Sequence, residues 1–177
     1  RLDHRKGVDL LLQAFAMIAG QCVADLVIAG KGPERAALEA LAAELQLADR
    51  VRFVGQAEGD LKTYLLQNTI ATVIPSRSWE AFPLVLLESY AAARAVIGTR
   101  IVGLGDLVYP DKTGILVPPD SPEPLAEAML RVILDSDQTV RWGEEGRRLA
   151  QDFDWTCIAE RHIALFEQLI ERRKASA

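Results

Sequence analysis

Two glutamates eight positions apart, Glu80 and Glu88, have surroundings that could support chemistry. Glu80 lies in a loop before Pro83, and Glu88 lies inside the apolar run 84–91. A carboxylate among so many core-forming residues is costly unless it has partners. Pro83 suits the first turn of a helix, and the free N–H groups at a helix start favour an anion. A diphosphate at this helix start, with a ribose whose hydroxyls meet Glu88, would satisfy both demands.

The same two acids also fit a purely structural interpretation. Glu88 could belong to a charge network, and Glu80 could be a solvated acid of the loop. Structural acid pairs and loop carboxylates are both common, so the spacing alone leaves both interpretations open.

Positive charge for a phosphate group is available in the polar stretch that opens the chain, at Arg1 and Lys6. Arginine can hold a phosphate through two parallel hydrogen bonds, and lysine supplies a point charge. Arg5 belongs to the same loop and could equally be solvated surface.

Two further loops contain closely spaced glycines. The backbone at Gly103 and Gly105 could approach a ligand closely, or the loop could be a flexible connection. Gly30 and Gly32 resemble the start of a dinucleotide fingerprint, but Arg35 occupies the place of the third glycine. We therefore interpret 30–33 as a tight turn, which argues against an NAD-type domain.

The elements that must position these residues alternate between short apolar runs and helical patterns. This alternation predicts an α/β, Rossmann-like, doubly wound parallel sheet with helices on both faces and a helical C-terminal tail. We expect a sheet of about six strands, of which five lie in the chain and a sixth, mostly missing from it, ends at Leu2. In such a sheet, ligands bind beyond the carboxyl ends of the strands. The predicted strands are 25–30, 51–54, 71–74, 95–98 and 115–117, and the predicted helices are 8–18, 34–47, 60–68, 83–94, 122–134, 139–151 and 156–174.

Size and composition indicate one globular domain, since the chain has 177 residues, half of them apolar. The net charge of −5 argues against nucleic acid as a partner. Cys22 and Cys157 form no CxxC pair and the two histidines stand alone, so we expect no metal and no cofactor. Free thiols and the lack of a signal or membrane-spanning pattern indicate a cytoplasmic protein. The chain starts without Met, and we expect it to be part of a longer protein.

Six short motifs occur in order along nearly the whole chain. Together they resemble family 4 of the glycosyltransferases (glycosyl transferases group 1), which includes glycogen and sucrose synthases, mannosyltransferases and bacterial polysaccharide enzymes. The matching segments are Arg1-Leu2 with Lys6-Gly7, 27–35, 50–55, Pro75-Ser76 with 80–88, 113–118, and Phe153 with Trp155. The resemblance implies the C-terminal, donor-binding domain of a retaining enzyme with the GT-B fold.

The resemblance also implies a role for each candidate residue. Arg1 and Lys6 would hold the donor diphosphate and offset the charge of the leaving nucleotide, without a metal. Glu80 would contact the donor sugar and Glu88 the ribose. The remaining implied substrate contacts are the backbone of Phe82, Pro83 and Leu84 at the sugar and distal phosphate, the loop at Gly103, and the segment from Arg52 to Gly55 beside the base.

Several positions depart from the family pattern. The family often has glycine at Pro83, and proline lacks the N–H group that could contact a phosphate or a sugar. Val102 replaces the first glycine of a Gly-Gly pair, Asp106 replaces a glutamate, and 92–95 replaces Cys-Gly-x-Pro. With these changes we still expect nucleotide binding, whereas the identity of the donor sugar stays open.

For the whole enzyme, the resemblance implies transfer from a UDP-, GDP- or ADP-sugar to a sugar or lipid-linked acceptor, in polysaccharide or glycoconjugate synthesis. A missing N-terminal domain would hold the acceptor, and any association with the inner face of the membrane would depend on it. We therefore expect this chain alone to be inactive. The helix 156–174 would cross to that domain, which would leave Phe166, Leu169 and Ile170 available for self-association.

Two other functions remain open. One is a non-catalytic nucleotide-sugar-binding or regulatory module, which the changes at Pro83 and Val102 would fit and Glu80 argues against. The other is a sugar-nucleotide epimerase of the same fold, against which the Glu80–Glu88 spacing argues.

Overall fold

Strands and helices alternate along the chain in the predicted order. The structure is a computed structural model that describes residues 1–175, with the side chains of 1–174. The strands are β1 (Leu26–Ala29), β2 (Val51–Gly55), β3 (Ala71–Ile74), β4 (Ala95–Thr99) and β5 (Gly114–Val117). The helices are α1 (Val8–Ile18), α2 (Arg35–Glu44), α3 (Gly59–Gln67), α4 (Leu84–Ala91), α5 (Pro122–Leu134), α6 (Ser136–Gln151) and α7 (Trp155–Ala175), with short 3₁₀ turns at His4–Lys6 and Ala19–Gln21.

All pairings between these strands are parallel. Strand β1 pairs with β2 from Leu26 opposite Val51 onward. Strand β4 lies between β3 and β5, with Val96 opposite both Thr72 and Gly114. Parallel strands need helical crossovers, and the helices between them supply these.

Helices cover both faces of the sheet that contains β4, as predicted. Neighbouring residues of a strand point to opposite faces. Ile97 packs in a core with α1 and α5, whereas Val96 packs in a second core with α4. Every residue of β4 is buried, as is typical of a parallel strand with a neighbour on each side.

The five strands predicted within the chain are all present, although the structure does not join them into the single sheet that was predicted. Residues 1–175 form five strands, and these make a two-stranded and a three-stranded sheet. Leu2 belongs to neither sheet. Its N–H donates to the carbonyl of Lys31 at 2.8 Å, and its carbonyl accepts from the N–H of Glu34 at 3.3 Å. Because the 3₁₀ turn starts at His4, only a loop remains at Leu2.

Differences at helix ends have local causes. Helix α2 ends at Glu44 rather than at 47, because Gln46 takes a left-handed conformation with φ of 59°. Helix α6 begins at Ser136 rather than at 139, because the side chain of Asp135 accepts the N–H of Gln138 at 3.1 Å. Helix α3 runs from Gly59 to Gln67, one residue earlier at each end than predicted, and Asp60 lies in its first turn.

The final helix, α7, leaves large apolar side chains in solvent. Phe166 is 57% exposed and Ile170 is 54% exposed, and Leu165 and Leu169 are each half exposed. An exposed apolar face of this extent is typical of an interaction surface. Across the described part of the chain, no helix has the length and apolarity needed to span a membrane.

Candidate functional site

The loop that precedes α1 packs directly on the end of β3. Gly7 makes this possible, since it has a φ of 62° and no side chain. A Cβ atom at this position would lie 2.1 Å from the carbonyl oxygen of Pro75. Two loops that are distant in sequence therefore meet at the carboxyl end of the sheet, where parallel folds bind ligands.

Arg77 fastens the same two loops together. Its guanidinium donates to both carboxylate oxygens of Asp9, at 2.6 and 2.7 Å, and to the carbonyl of His4 at 3.0 Å. It also bonds Asp120 at 2.7 Å, and its backbone N–H donates to the carbonyl of Arg5 at 2.8 Å. The Arg77 side chain is 14% exposed, so these bonds are partly shielded from water.

The Asp9–Arg77 pair should make the stability of the fold depend on pH. The hydrogen bond that Asp9 accepts from Arg77 lowers the pKa of Asp9 below its ordinary value of 3.8. The stabilisation is therefore complete above the unfolded pKa and is lost as pH falls through the lower folded pKa. We expect Asp9→Asn to lower the free energy of unfolding by about 1–3 kcal/mol at neutral pH, with this difference shrinking below about pH 4.

Urea unfolding at neutral and strongly acidic pH measures this difference. Asp49→Asn serves as the matched control, because Asp49 is exposed. The control should show little difference from the unchanged chain at either pH. An equal loss for Asp9→Asn at both pH values would contradict the role of the Asp9 charge.

Lys6 and Glu80 form an ion pair where the two loops meet. The Nζ atom of Lys6 lies 2.5 Å from Oε1 of Glu80, although 74 residues separate them in sequence. The hydroxyl of Ser76, which is 1% exposed, donates to the same oxygen at 2.6 Å. The Lys6 side chain is 33% exposed and that of Glu80 is 17% exposed. The pair is thus positioned by the protein yet reachable from solvent.

Gly103 supports the backbone of Glu80. Its φ is 92°, and a Cβ atom there would lie 1.8 Å from the Glu80 carbonyl oxygen. The Glu80 N–H donates to the carbonyl of Val102 at 3.1 Å, and the N–H of Gly103 donates to Asp106 at 3.2 Å. The close backbone approach considered for Gly103 is therefore present, and it is made to the Glu80 loop.

Glu88 forms the second acid–lysine pair. Its Oε1 accepts from Nζ of Lys62, on α3, at 2.7 Å. The Glu88 side chain is 34% exposed, so it is not the deeply buried acid that its apolar neighbours in sequence suggest. The structural interpretation is correct in giving Glu88 a charged partner, and the exposure leaves the carboxylate accessible to hydroxyl groups.

The segment from Phe82 to Leu84 lies at the start of α4. Pro83 is buried and extended, and its carbonyl accepts the N–H of Leu86 at 2.9 Å. The side chains of Phe82 and Leu84 are 47% and 64% exposed, and the Phe82 ring lies 5.9 Å from that of Phe153. These residues therefore border the helix start that could receive an anion.

Two candidate residues are not joined to the Lys6–Glu80 pair. The Arg1 side chain is 68% exposed and bonds Asp3 at 2.9 Å. Arg52 lies 3.9 Å from Asp25, which precedes β1 at the amino end of the sheet. The side chain of Arg52 is therefore directed away from the carboxyl edge where the other candidates lie.

The sequence reasoning missed four residues of this site: Gly7, Ser76, Arg77 and Lys62. Gly7 separates a polar stretch from an apolar helix, and that position was a signal for a left-handed turn. Ser76 and Arg77 follow β3 directly, where site residues are expected. Lys62 carried no local signal, because its partner Glu88 belongs to another element.

A sizeable cavity lies away from the Lys6–Glu80 pair. It has a volume of about 840 Å³ and runs between β1 and β3, with Arg1, Gly30 and Lys31 among its lining residues. We place the candidate site at the ion pairs, because strand ends, a helix start and charged side chains coincide there.

Comparison with known proteins gives a consistent result. The family model described as glycosyl transferases group 1 matches residues 1–149. An exopolysaccharide phosphotransferase of Streptomyces coelicolor is 34% identical, with 98% of this chain and 18% of the relative covered. A D-inositol 3-phosphate glycosyltransferase of Corynebacterium urealyticum is 32% identical, with 96% of this chain and 42% of the relative covered.

A solved structure shows the same fold. HepE of Anabaena, crystallised in complex with UDP, has a TM-score of 0.85 and 23% identity, with 95% of this chain and 47% of that chain covered. The chain thus spans less than half the length of each of these relatives. Because the family model matches most of its residues, the chain belongs to the glycosyl transferases group 1, in which it corresponds to the C-terminal domain of the GT-B fold.

Proposed function

We propose that this chain binds a nucleoside diphosphate sugar and forms the donor half of a glycosyltransferase. The observation that carries the proposal is the Lys6–Glu80 pair, 2.5 Å apart and held by buried Ser76 at the carboxyl edge of the sheet. A fixed cation, a carboxylate and a helix start then lie near one another. That combination suits a ligand with both phosphate and hydroxyl groups.

Lys6 is the group that meets the diphosphate. Negative charge grows on the phosphate when the bond to the sugar breaks, and a preorganised cation stabilises that charge without moving. In the free protein, Glu80 holds the Lys6 ammonium in place. The chemistry needs no metal, because the lysine and the start of α4 supply the positive potential.

Glu80 and Glu88 are the groups that meet hydroxyls. Glu80 faces the donor sugar and Glu88 the ribose, each as an acceptor of hydroxyl protons. Lys62 lies 2.7 Å from Glu88 and orients this carboxylate before the ribose arrives. The backbone from Phe82 to Leu84 completes the site beside the sugar and the distal phosphate.

The relatives support the assignment. One is named as a glycosyltransferase, and HepE is described in complex with UDP. Since the chain covers under half of each, transfer itself belongs to a longer protein, in which a second domain holds a sugar or lipid-linked acceptor. The exposed apolar face of α7 is the surface that would pack on that domain. Transfer with retention of configuration is part of the proposal.

Calorimetric titration of the chain with UDP, GDP and ADP tests nucleotide binding. One nucleotide is expected to bind, and Glu88→Ala should weaken it by about 1–3 kcal/mol, because a charge-assisted hydrogen bond to ribose is lost. Glu127→Ala is the matched control, since Glu127 is exposed on α5. The control should bind as the unchanged chain does.

An equal loss of nucleotide affinity in Glu88→Ala and Glu127→Ala would contradict a ribose contact at Glu88. The donor-domain proposal would be rejected if none of the three nucleotides bound at millimolar concentration, and if UDP-glucose and the full-length protein gave the same result.

A further inference from the structure

A buried hydroxyl at the end of β4 supports the loop that contains Glu80. Thr99, the last residue of β4, is 3% exposed, and its Oγ1 donates to the backbone carbonyl of Ser76 at 2.5 Å. Strand β4 pairs with a neighbour on each side, and Thr99 lies opposite Val117 of β5. The hydroxyl therefore comes from a rigid part of the sheet, and it fixes the backbone of Ser76.

Ser76 transmits this support to Glu80. Its own hydroxyl is buried and donates to Oε1 of Glu80 at 2.6 Å. The same oxygen accepts from Nζ of Lys6 at 2.5 Å. A chain of hydrogen bonds thus runs from Thr99 through Ser76 to the oxygen that Lys6 contacts.

The two oxygens of the Glu80 carboxylate have different surroundings. Ser76 and Lys6 both bond Oε1, and no group within the part of the chain that the structure describes bonds Oε2. A carboxylate can accept hydrogen bonds on each of its oxygens. Oε2 can therefore receive a hydroxyl group of a ligand while Oε1 keeps its partners in the protein.

The backbone of Glu80 is held from the same side of the sheet. Its N–H donates to the carbonyl of Val102 at 3.1 Å, in the loop that follows β4. Thr99 therefore holds the start of the segment 76–80, and Val102 holds its end. A side chain supported in this way by rigid elements is oriented before its ligand arrives.

We propose that Thr99 is a positioning residue of the donor site, which acts on Glu80 through Ser76. It holds the Ser76 hydroxyl where that hydroxyl orients Oε1 of Glu80 toward Lys6, and this leaves Oε2 for a hydroxyl of the donor sugar. The role of Oε2 rests on the proposed function, because the sugar is the ligand proposed for Glu80. Thr99 is buried and contacts no ligand itself.

Competitive acetylation of lysines in the ligand-free chain tests the positioning. A carboxylate that holds an ammonium group favours its charged, unreactive form, so the acetylation of Lys6, read by mass spectrometry, reports on its contact with Glu80. Thr99→Val keeps the size of the side chain and removes the hydroxyl. It should raise the acetylation of Lys6 by about two- to fivefold, the range expected when a partly exposed ion pair is lost. The acetylation of Lys62 should not change.

Two variants separate positioning from stability. Thr99→Ser retains the donor, so Lys6 should be acetylated as in the unchanged chain. Thr139→Val is the matched control, because Thr139 is 4% exposed and donates to the carbonyl of Val132 at 2.9 Å. Its loss of stability in urea should resemble that of Thr99→Val, yet the acetylation of Lys6 should stay the same.

A double variant tests whether Thr99 acts through Ser76. Ser76→Ala removes the hydroxyl that holds Glu80, so Thr99→Val should add no further acetylation of Lys6 to that of Ser76→Ala. The proposal would be overturned if the two effects added, if Thr99→Ser failed to restore the slow reaction, or if Thr99→Val resembled Thr139→Val.

Calorimetry with UDP and UDP-glucose, or with the GDP or ADP pair if that nucleotide binds, tests the consequence for the sugar. Thr99→Val should weaken binding of the nucleotide sugar by about three- to tenfold, because a hydrogen bond to a sugar hydroxyl is lost, and should leave the affinity for the nucleotide unchanged. An equal loss for both ligands would overturn the role of Oε2. If no nucleotide or nucleotide sugar bound, the donor site itself would be rejected, whereas faster acetylation of Lys6 in Thr99→Val would still support the positioning of Glu80.

Discussion

Replacement of Gly7 by alanine is expected to destabilise the fold by more than about 3 kcal/mol. The backbone at Gly7 is left-handed, with φ of 62°, which alone costs a side-chain-bearing residue about 1–2 kcal/mol. The added Cβ would also lie 2.1 Å from the carbonyl oxygen of Pro75. Backbone cannot yield as a flexible side chain would, so the first loop must separate from the end of β3.

Gly20→Ala is the matched control for this change. A Cβ at Gly20 would meet nothing within 4 Å, and its φ lies outside the left-handed range. Alanine there should be neutral or stabilise the fold by about 0.4–1 kcal/mol, because it restricts the unfolded chain. Urea unfolding of both variants gives the comparison. Similar stability of the two variants would mean that Gly7 and Pro75 are not in close contact.

The same change carries a functional consequence. Lys6 precedes Gly7, so a displaced loop would move the ammonium away from Glu80. Nucleotide binding should therefore weaken in Gly7→Ala at temperatures where the chain is still folded. Circular dichroism measured alongside the titration separates a displaced loop from an unfolded chain.

Lys6→Ala is expected to lower the rate of sugar transfer by the longer protein by about 10²–10³-fold, if the donor site lies where we propose. The cause is loss of the cation that meets charge developing on the leaving phosphate. The binding of nucleoside diphosphate to this chain should weaken less, by about tenfold, because the charge is only partly developed in the bound donor. Stability should change little, since the pair is partly exposed to solvent.

Initial rates with a nucleotide sugar, together with calorimetry on the chain, measure the two effects. Lys112→Ala removes an equal charge from an exposed position after β4 and should change neither. A rate for Lys6→Ala equal to that of the control would remove Lys6 from the mechanism. An equal loss in binding and in rate would instead assign it to ground-state binding.

The local sequence pattern was sufficient to predict most of the helices and strands. Helices α1 and α5 have the predicted bounds, as does β3, because each has an apolar periodicity and clear end signals. Prediction was poorer at α2 and α6, where a left-handed Gln46 and the Asp135 cap determined the ends. A single residue there outweighs the periodic pattern around it.

Some residues of the candidate site were also predicted correctly from local pattern, and others were not. Lys6, Glu80 and Gly103 were predicted from the loops that follow the strands, and the structure brings these three together. Arg52 was predicted on the same grounds, yet it lies beside Asp25 near the other end of the sheet. The roles of these residues in donor binding remain predictions, and the experiments on Lys6 and Glu88 address them directly.

By itself, the sequence determined the order of strands and helices, the parallel α/β class, and the loops that hold the candidate residues. These properties depend on local periodicity and on turn residues, which are readable along the chain. Only the tertiary structure decided that Lys6 pairs with Glu80, that Lys62 pairs with Glu88, and that β1 and β3 belong to different sheets. Such contacts join residues far apart in sequence, so they depend on how the elements pack, and no local pattern encodes that packing.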